Sequence, residues 1–275
     1  PRQNAAVRKI TLDRRDSFQL WHLGTFRNMS LSDRLAIVTG GGGGIGKAVC
    51  HALARDGAVV AVADINLDAA KATVAELKGK DHVALHVDVG DSTSVASLMN
   101  NVGSQFRTPL SIVVNCAGVA KWHSVVDTTE EEYDVQMRVN LKGTFLVNQA
   151  AVKAMLESKV PQAAIVNIAS IAAKLGFANL ATYAASKGGV IAFTKSLAQE
   201  LAGTSIRVNV LLPGGTHAPL LYVIPKDALK AALATCPMRR FAQPEEVADV
   251  ARYLCTSGSS YITGTCVEVA GGMGA

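Results

Sequence analysis

The stretch that decides the fold is Leu35-Ala-Ile-Val-Thr-Gly-Gly-Gly-Gly-Gly-Ile-Gly46, an apolar run that ends in a glycine-rich loop. Residues 45–56 continue with a helical pattern, so the loop lies between a strand and a helix. Glycines permit the tight turn and the close backbone approach that a bound pyrophosphate requires, and the helix N-terminus faces the negative charge. A flexible linker is the alternative for such a run taken alone. The stretch predicts a dinucleotide-binding unit with four candidate contacts: Gly40, Gly44, Ile45 and Gly46.

Beyond this unit, apolar β-branched runs alternate with helical patterns. Strands are predicted at Leu35–Thr39, Ala58–Ala63, His82–Val87, Leu110–Asn115, Ala163–Ala169, Ile206–Leu211 and Cys266–Val269. Helices are predicted at 45–56, 67–78, 91–106, 129–158, 182–202 and 244–256. Near-continuous apolar strands separated by helices indicate a parallel sheet that is covered on both faces. The sequence therefore predicts an α/β fold in a single domain over 29–275, a Rossmann-like, doubly wound, seven-stranded parallel sheet with helices on both faces.

Composition limits the function classes. The 275 residues carry a net charge of +5, but residues 1–28 hold six basic and two acidic side chains, so the remainder is nearly neutral. That balance gives no case for nucleic-acid binding. No apolar run approaches the roughly 18 residues of a membrane span. The five cysteines are dispersed and contain no CxxC pair, so neither a disulfide framework nor a zinc site is predicted, and no metal is expected.

Residues 1–28 differ from the rest of the chain because they are rich in arginine and poor in acidic side chains. That composition is typical of an organellar targeting segment, and vector-derived or upstream translated sequence explains it equally well. In either case we expect this leader to be poorly ordered and not to carry the fold.

Asp64 ends the second predicted strand, 18 residues after Gly46. A carboxylate at this position can accept both hydroxyls of an adenosine ribose, and it repels a 2′-phosphate. Neither the glycine loop nor the next residue, Ile65, supplies a basic group to hold that phosphate. The cofactor is therefore predicted to be NAD(H) rather than NADP(H), with Asp64 and Ile65 beside the ribose. A helix cap is the alternative role for Asp64.

Two further segments end at the same edge of the predicted sheet. Asp88-Val89 closes the third strand, where Asp88 could bind the adenine amino group or, equally, cap the next helix. Asn115-Cys116-Ala117-Gly118 closes the fourth strand, and small residues there would let the cofactor lie against the backbone. A plain turn is the alternative.

Tyr183-Ala-Ala-Ser-Lys187 falls in the predicted helix 182–202. Positions i and i+4 share one helix face, so the phenol and the ammonium lie side by side. A close ammonium favours the phenolate, and lowering the phenol pKa by about 3 units from its reference near 10 needs roughly 4 kcal/mol. The pair would then donate and accept a proton near pH 7. A surface Tyr–Lys pair is the alternative reading of this stretch alone.

With these pieces together, residues 33–272 resemble the short-chain dehydrogenase/reductase family. The resemblance is carried by TGxxxGxG at Thr39–Gly46, NNAG with a cysteine in second place at Asn115–Gly118, a serine thirteen residues before YxxxK at Ser170, and an asparagine in the long fourth helix at Asn140. It implies that Tyr183 is the general acid in carbonyl reduction and the base in alcohol oxidation. It further implies that Lys187 lowers the Tyr183 pKa and binds the nicotinamide ribose, that Ser170 binds the substrate oxygen, and that Asn140 holds a helix distortion and a proton-relaying water.

The family also grips the nicotinamide carboxamide after the sixth strand, here at Pro213-Gly214. The family pattern PGxxxT places Ala218 where a threonine is expected, and Thr216 two residues earlier is the candidate in its place. The apolar segment 216–241 is expected to cover the substrate. Met238-Arg239-Arg240 within it could touch an acidic carrier protein or simply be solvated.

A closer similarity, to the type 8 17β-hydroxysteroid dehydrogenases, is carried by Asn140–Val147, Tyr183–Ile191 and Tyr261–Gly272. These proteins also serve as the NAD-linked subunit of a mitochondrial 3-oxoacyl-[acyl-carrier-protein] reductase. The resemblance implies an NAD(H)-dependent oxidoreductase for a secondary alcohol and a ketone, either an acyl thioester or a steroid. It implies acyl carrier protein as a candidate partner, a homotetramer or a heterotetramer with a related reductase, and the mitochondrial matrix, with the cytoplasm as alternative. The displaced threonine motivates a second hypothesis, a cofactor-binding scaffold subunit with little activity of its own.

Overall fold

A computed structural model describes residues 30–274, and the predicted leader 1–28 lies outside them. The strands of the described chain form one parallel sheet in the order β3-β2-β1-β4-β5-β6-β7. They are β1 (Leu35–Thr39), β2 (Val59–Asp64), β3 (Val83–His86), β4 (Leu110–Asn115), β5 (Ala163–Ile168), β6 (Ile206–Pro213) and β7 (Cys266–Val269). The predicted seven-stranded parallel sheet is confirmed, with strand ends that differ by one or two residues.

The helices follow the predicted alternation. They are α1 (Gly44–Arg55), α2 (Leu67–Glu76), α3 (Ser92–Gln105), α4 (Glu130–Gln136), α5 (Gly143–Glu157), α6 (Ala172–Leu175), α7 (Ala181–Glu200), α8 (Lys226–Thr235) and α9 (Pro244–Cys255). Short 3₁₀ turns lie at Pro219–Val223 and Ser257–Ser259. Local side chains fix several starts, because Asn66, Asp91 and Thr129 accept hydrogen bonds from the first turns of α2, α3 and α4. None of these helices is long and apolar enough to cross a membrane.

The sheet is covered on both faces, as the apolar strands predict. Residues of α1 and α9 pack on one face and residues of α3, α5 and α7 on the other, giving two apolar clusters. All five residues of β1 are buried, because this strand is central and pairs with both β2 and β4. Burial on both faces explains why its sequence is an uninterrupted apolar run.

The strand order reverses direction at β1, whose neighbours are β2 on one side and β4 on the other. In an open parallel sheet, the loops at such a switch point diverge above the carboxyl ends of the strands and leave a crevice for ligands. The loops after β1 and β4 are Gly40–Gly43 and the segment from Cys116, so both predicted motifs face this crevice.

The predicted helix 129–158 is not continuous. A π-helical turn, Met137–Lys142, separates α4 from α5 and contains Asn140. Asn140 is fully buried, and its side chain binds the loop after β4 at Val119. π-Turns are rare and occur frequently at functional sites.

Candidate active site

One cleft of about 720 Å³ runs from the glycine loop to the segment after β6. Its walls include Gly40, Gly44, Ile45 and Gly46 together with Ser170, Tyr183 and Lys187, so the structure brings the predicted cofactor loop and the predicted catalytic residues together. Its volume falls in the range of small-molecule and cofactor sites.

The glycine loop has the geometry of a phosphate cradle. Gly40 has a positive φ of 66°, and a Cβ atom at Gly46 would lie 2.1 Å from the Gly40 carbonyl oxygen. α1 begins directly after Gly43, which has no side chain to cap the helix. The amide groups of the first turn are therefore available to an anion in the cleft. A pyrophosphate fits this loop, with Gly40, Gly44, Ile45 and Gly46 as the residues that would hold it.

Asp64 lines the cleft at the end of β2. Its carboxylate accepts hydrogen bonds from the amides of Gly42 and Asn66, each at 2.9 Å. It does not cap α2, because Asn66 does so. The carboxylate therefore ties the glycine loop to the end of β2 and leaves its charge beside the place predicted for the adenosine ribose.

Four predicted cofactor residues lie outside the walls of the cleft: Ile65, Asp88, Val89 and Asn115. Ile65 is 64% exposed. Val89 is buried where a Cβ atom at Gly143 would meet it at 2.7 Å, so it packs against the end of the π-turn. Asn115 is buried and donates a hydrogen bond to Asn167 at 2.8 Å. Their contacts with a cofactor stay predictions.

Asp88 has a partner that the sequence did not indicate. Its carboxylate accepts a 2.8 Å hydrogen bond from Arg138, 50 residues away in the chain, and another from the amide of Gly90. Burial opposes ionisation, but these donors hold the pKa of Asp88 below its ordinary value. The helix-cap alternative is wrong for Asp88, since Asp91 caps α3.

Ser170, Tyr183 and Lys187 meet at the carboxyl end of β5. The hydroxyl of Ser170 lies beside the phenol of Tyr183, where it acts to lower the phenol pKa, and it accepts a hydrogen bond from the amide of Ala172 at 3.1 Å. Lys187 donates to the carbonyl oxygen of Ile168 at 2.8 Å, and its Nζ atom lies 5.9 Å from the centroid of the Tyr183 ring. β5 and the first turns of α7 together position the three side chains.

The pKa of Tyr183 is raised, whereas the sequence analysis expects it to be lowered. Burial raises it to about 12, and the neighbouring hydroxyl of Ser170 offsets only part of that rise. Burial also lowers the pKa of Lys187 to about 8. The expected lowering of the phenol pKa by Lys187 is therefore wrong for this arrangement, because desolvation dominates and the ammonium is directed to Ile168.

Asn140 joins the loop after β4 to α7. Its side chain accepts from the amide of Val119 at 2.8 Å and donates to the carbonyl of Val119 at 2.9 Å. It also donates to Ser186 at 3.0 Å, next to Lys187 in the chain. A Cβ atom at Gly118 would lie about equally close to Lys187 Nζ and Asn140 Oδ1, at 3.2 and 3.3 Å. The expected helix distortion is present, and it places Asn140 beside the lysine.

Pro213, Gly214 and Thr216 also line the cleft, as do Ala117 and Gly118. Thr216 is buried and donates to the carbonyl of Gly214 at 3.2 Å. Ala218 lies across from the glycine loop, since a Cβ atom at Gly44 would meet its Cβ at 3.1 Å. The structure thus places Thr216 in the wall and Ala218 against the loop.

The segment 216–241 covers one side of the cleft, as predicted, through Leu220, Leu221, Val223, Ile224, Leu229, Ala232 and Phe241. Facing it near Tyr183 is an apolar cluster that includes Ala120, Trp122, Phe177 and Leu180. We call the space between them the substrate chamber. Sequence reasoning missed Trp122, Phe177 and Leu180, since they lie in irregular segments where no periodicity marks a wall.

Outside the chamber, Met238-Arg239-Arg240 is exposed, and Arg240 forms a bidentate pair with Glu246 at 2.6 and 2.7 Å. His217 is exposed and packs edge-on to Phe241. Among the described residues, no group of three or more His, Cys, Asp or Glu side chains could hold a metal ion.

Comparison with known proteins agrees with this geometry. A family model described as enoyl-(acyl carrier protein) reductase matches residues 40–274. A (3R)-3-hydroxyacyl-CoA dehydrogenase of Homo sapiens is 40% identical over 252 residues, which cover 88% of this chain and 96% of that protein. A 3-oxoacyl-[acyl-carrier-protein] reductase of Thermotoga maritima is 37% identical over 249 residues, covering 89% and 99%.

Among solved structures, a 3-ketoacyl-(acyl-carrier-protein) reductase from Brucella melitensis complexed with NADH superposes with a TM-score of 0.84 at 31% identity. The match covers 90% of this chain and 100% of that one. The chain belongs to the short-chain dehydrogenase/reductase family, whose members are oxidoreductases that bind a nicotinamide cofactor.

Proposed function

We propose that the protein interconverts a 3-oxoacyl thioester and a 3-hydroxyacyl thioester with NAD(H). The observation that carries the proposal is that Ser170 and Tyr183 lie together in the wall where the cofactor cleft opens into the apolar substrate chamber. The printed activities of the relatives, a 3-hydroxyacyl-CoA dehydrogenase and 3-oxoacyl-[acyl-carrier-protein] reductases, support this substrate class.

The protein's own residues manage the oxygen and its proton. NADH, when bound, supplies the hydride that adds to the carbonyl carbon. Ser170 donates a hydrogen bond to the carbonyl oxygen as negative charge develops on it. Tyr183 holds its proton at neutral pH, since burial raises its pKa to about 12, and it delivers that proton to the same oxygen. Oxidation of the alcohol reverses both transfers and needs the phenolate.

Lys187 and Asn140 support the proton transfer by Tyr183 without touching the substrate oxygen. The pKa of Lys187 is lowered to about 8 by burial, so the ammonium can exchange its proton near neutral pH. Its neighbour Asn140 fixes the loop at Val119 and reaches Ser186, which keeps the loop, the π-turn and α7 in register. In this proposal Lys187 also binds the nicotinamide ribose.

Preference for NAD(H) is proposed from Asp64. Its carboxylate lies in the cleft and bonds the glycine loop, so a 2′-phosphate on the ribose would meet a negative charge. Lys47, the first basic residue after the loop, is engaged with Glu76 at 2.7 Å. Among the described residues, the loop therefore offers no unpaired cation that would offset the repulsion between Asp64 and a 2′-phosphate.

The test is turnover by the purified protein without any partner. Acetoacetyl-CoA is measured with NADH and with NADPH, and estradiol with NAD⁺, because the apolar chamber would also admit a steroid. We expect reduction of the thioester with NADH, and a loss of about 10²–10⁴-fold in kcat for Tyr183→Phe. Tyr261→Phe is the control, since Tyr261 is fully exposed. A fully active Tyr183→Phe protein would refute the mechanism, and preference for NADPH would refute the role of Asp64.

Assembly is a separate proposal. We propose a homotetramer, or a heterotetramer with a related reductase, and acyl carrier protein as the donor of the acyl group. Light scattering of the purified protein decides between a self-associated tetramer and a species that needs a second subunit. Faster turnover with an acyl carrier protein thioester than with acetoacetyl-CoA would support the carrier.

A further inference from the structure

Three polar side chains lie one helical turn apart on α4 and the π-turn: Glu132, Gln136 and Asn140. Each binds one residue of the segment 118–123, which leads from β4 past the cleft. Asn140 binds both backbone groups of Val119, Gln136 Oε1 accepts from the amide of Lys121 at 3.2 Å, and Glu132 pairs with the side chain of His123 at 2.7 Å. The helix and the segment run in opposite directions and are joined at every second residue of the segment.

The residues between these anchors face the other way. Ala120 and Trp122 line the cleft, and both belong to the apolar cluster that includes Tyr183. Alternate residues of an extended chain point to opposite sides, so the anchors on 119, 121 and 123 determine that 120 and 122 point into the chamber. A slip of one residue in either direction would put Lys121 in the chamber wall and take Trp122 out of it.

Gln136 is the middle anchor, and it is not among the residues that line the cleft. It is 1% exposed, and its amide group is used at both ends, since Nε2 donates to the carbonyl of Glu132 at 3.2 Å. The outer anchor, between His123 and Glu132, is partly exposed and is correspondingly weak. The inner anchor, Asn140, belongs to the catalytic group. Of the two buried anchors, Gln136 is therefore the one next to Trp122 in the chain, because it binds Lys121 whereas Asn140 binds Val119.

We propose that Gln136 is a positioning residue for the substrate, which fixes the register of the segment 118–123 and so holds Trp122 in the wall of the chamber. It acts through Trp122 and does not touch the reacting atoms. The inference rests on the proposed function only in naming the chamber's occupant as the acyl part of a thioester.

The test compares Gln136→Leu with a matched loss of a buried amide elsewhere. Asn209 is 1% exposed and bridges two backbone groups in the same way, donating to Ile262 and accepting from Thr265, away from the cleft. Asn209→Leu therefore controls for lost stability. Gln136→Met, which keeps length and volume, takes the place of Gln136→Leu if the leucine variant does not fold.

Two readouts separate positioning from mere stability. For Gln136→Leu we expect KM for acetoacetyl-CoA to rise about tenfold, with kcat and the Kd for NADH within about twofold of wild type. Trp122 is also a reporter, since the chain has two tryptophans and Trp21→Phe leaves it alone. In that background, acrylamide quenching of Trp122 is expected to increase about twofold in Gln136→Leu, as burial of the ring is lost.

An unchanged KM together with unchanged quenching would overturn the proposal. So would the same rise in KM for Asn209→Leu, or a fall in kcat alone, which would assign the effect to Asn140. If the wild-type protein reduced no thioester at all, the proposed function would fail, and the quenching comparison would still decide whether Gln136 positions Trp122.

Discussion

Replacement of Lys187 by methionine should make the folded protein more stable while it removes the proposed activity. Lys187 is 3% exposed, and its pKa is lowered from 10.5 to about 8 because its charge is buried. Methionine has a similar length and no charge. The substitution therefore separates what the lysine costs the fold from what it contributes to the site.

The magnitude follows from the pKa. Each pKa unit corresponds to about 1.4 kcal/mol, so the ionised lysine costs the folded state about 3 kcal/mol at pH 7. Methionine removes this cost but leaves the Ile168 carbonyl without its 2.8 Å hydrogen bond, a loss of about 1–2 kcal/mol. The net gain is about 1–2 kcal/mol, or about 2–6 °C in Tm for a chain of this size.

The gain depends on pH in a defined direction. Below pH 8, Lys187 is ionised in both the folded and the unfolded protein, and the full cost is present. Between pH 8 and 10.5 the folded protein loses this proton first, so wild-type stability rises relative to the variant and the difference closes. Tyr183 titrates at higher pH in both proteins, and its contribution cancels in the difference.

Urea unfolding of both proteins at pH 7 and at pH 9.5, without cofactor, measures the two differences. Lys195→Met is the control, because Lys195 is exposed on the same helix, and its effect should be small at either pH. A Lys187→Met protein less stable than wild type at pH 7 would contradict the argument. So would a stability difference that is the same at both pH values.

Three further predictions concern the cofactor loop and the proton. Asp64→Ala should reduce the preference for NADH over NADPH at least about tenfold in kcat/KM, and an unchanged ratio would contradict the role given to the carboxylate. Gly46→Ala should lower the free energy of unfolding by about 2 kcal/mol or more, since its Cβ atom would lie 2.1 Å from the Gly40 carbonyl oxygen. Gly103→Ala, at an exposed position of α3, should instead raise it by about 0.5–1 kcal/mol, and thermal unfolding measures both. Alcohol oxidation should accelerate up to about tenfold per pH unit between pH 7 and 9, because Tyr183 must lose its proton, while reduction stays nearly flat; parallel profiles in steady-state assays would refute this.

Much of the fold was readable because its signals are local. Each strand and helix has its own periodicity, and β1 with the glycine loop defines the switch point. The predicted site residues Ser170, Tyr183 and Lys187 meet in the structure, since the end of β5 and the start of α7 are neighbours along the chain and in space. These features depend on few contacts between distant segments.

What could not be predicted depends on packing between distant segments. The direction of the Tyr183 pKa is set by burial, which no single motif encodes. For Asp88 the sequence predicts an adenine ligand or a helix cap, because its actual partner, Arg138, is 50 residues away and no local pattern indicates the pair. Trp122 gave no signal, because its place in the chamber is decided by the anchors from another element. These anchors become visible only when the helix and the segment 118–123 are placed side by side.

The π-turn at Met137–Lys142 has a consequence for how the chain can change in length. A π-turn accommodates one residue more than the same turn of an α-helix does, so the faces of α4 and α5 are out of phase by one position. Deleting one residue there would restore a continuous helix with regular hydrogen bonds, but it would rotate Gln136 and Asn140 by about 100° relative to α5. A gain in helical regularity would then coincide with loss of the site.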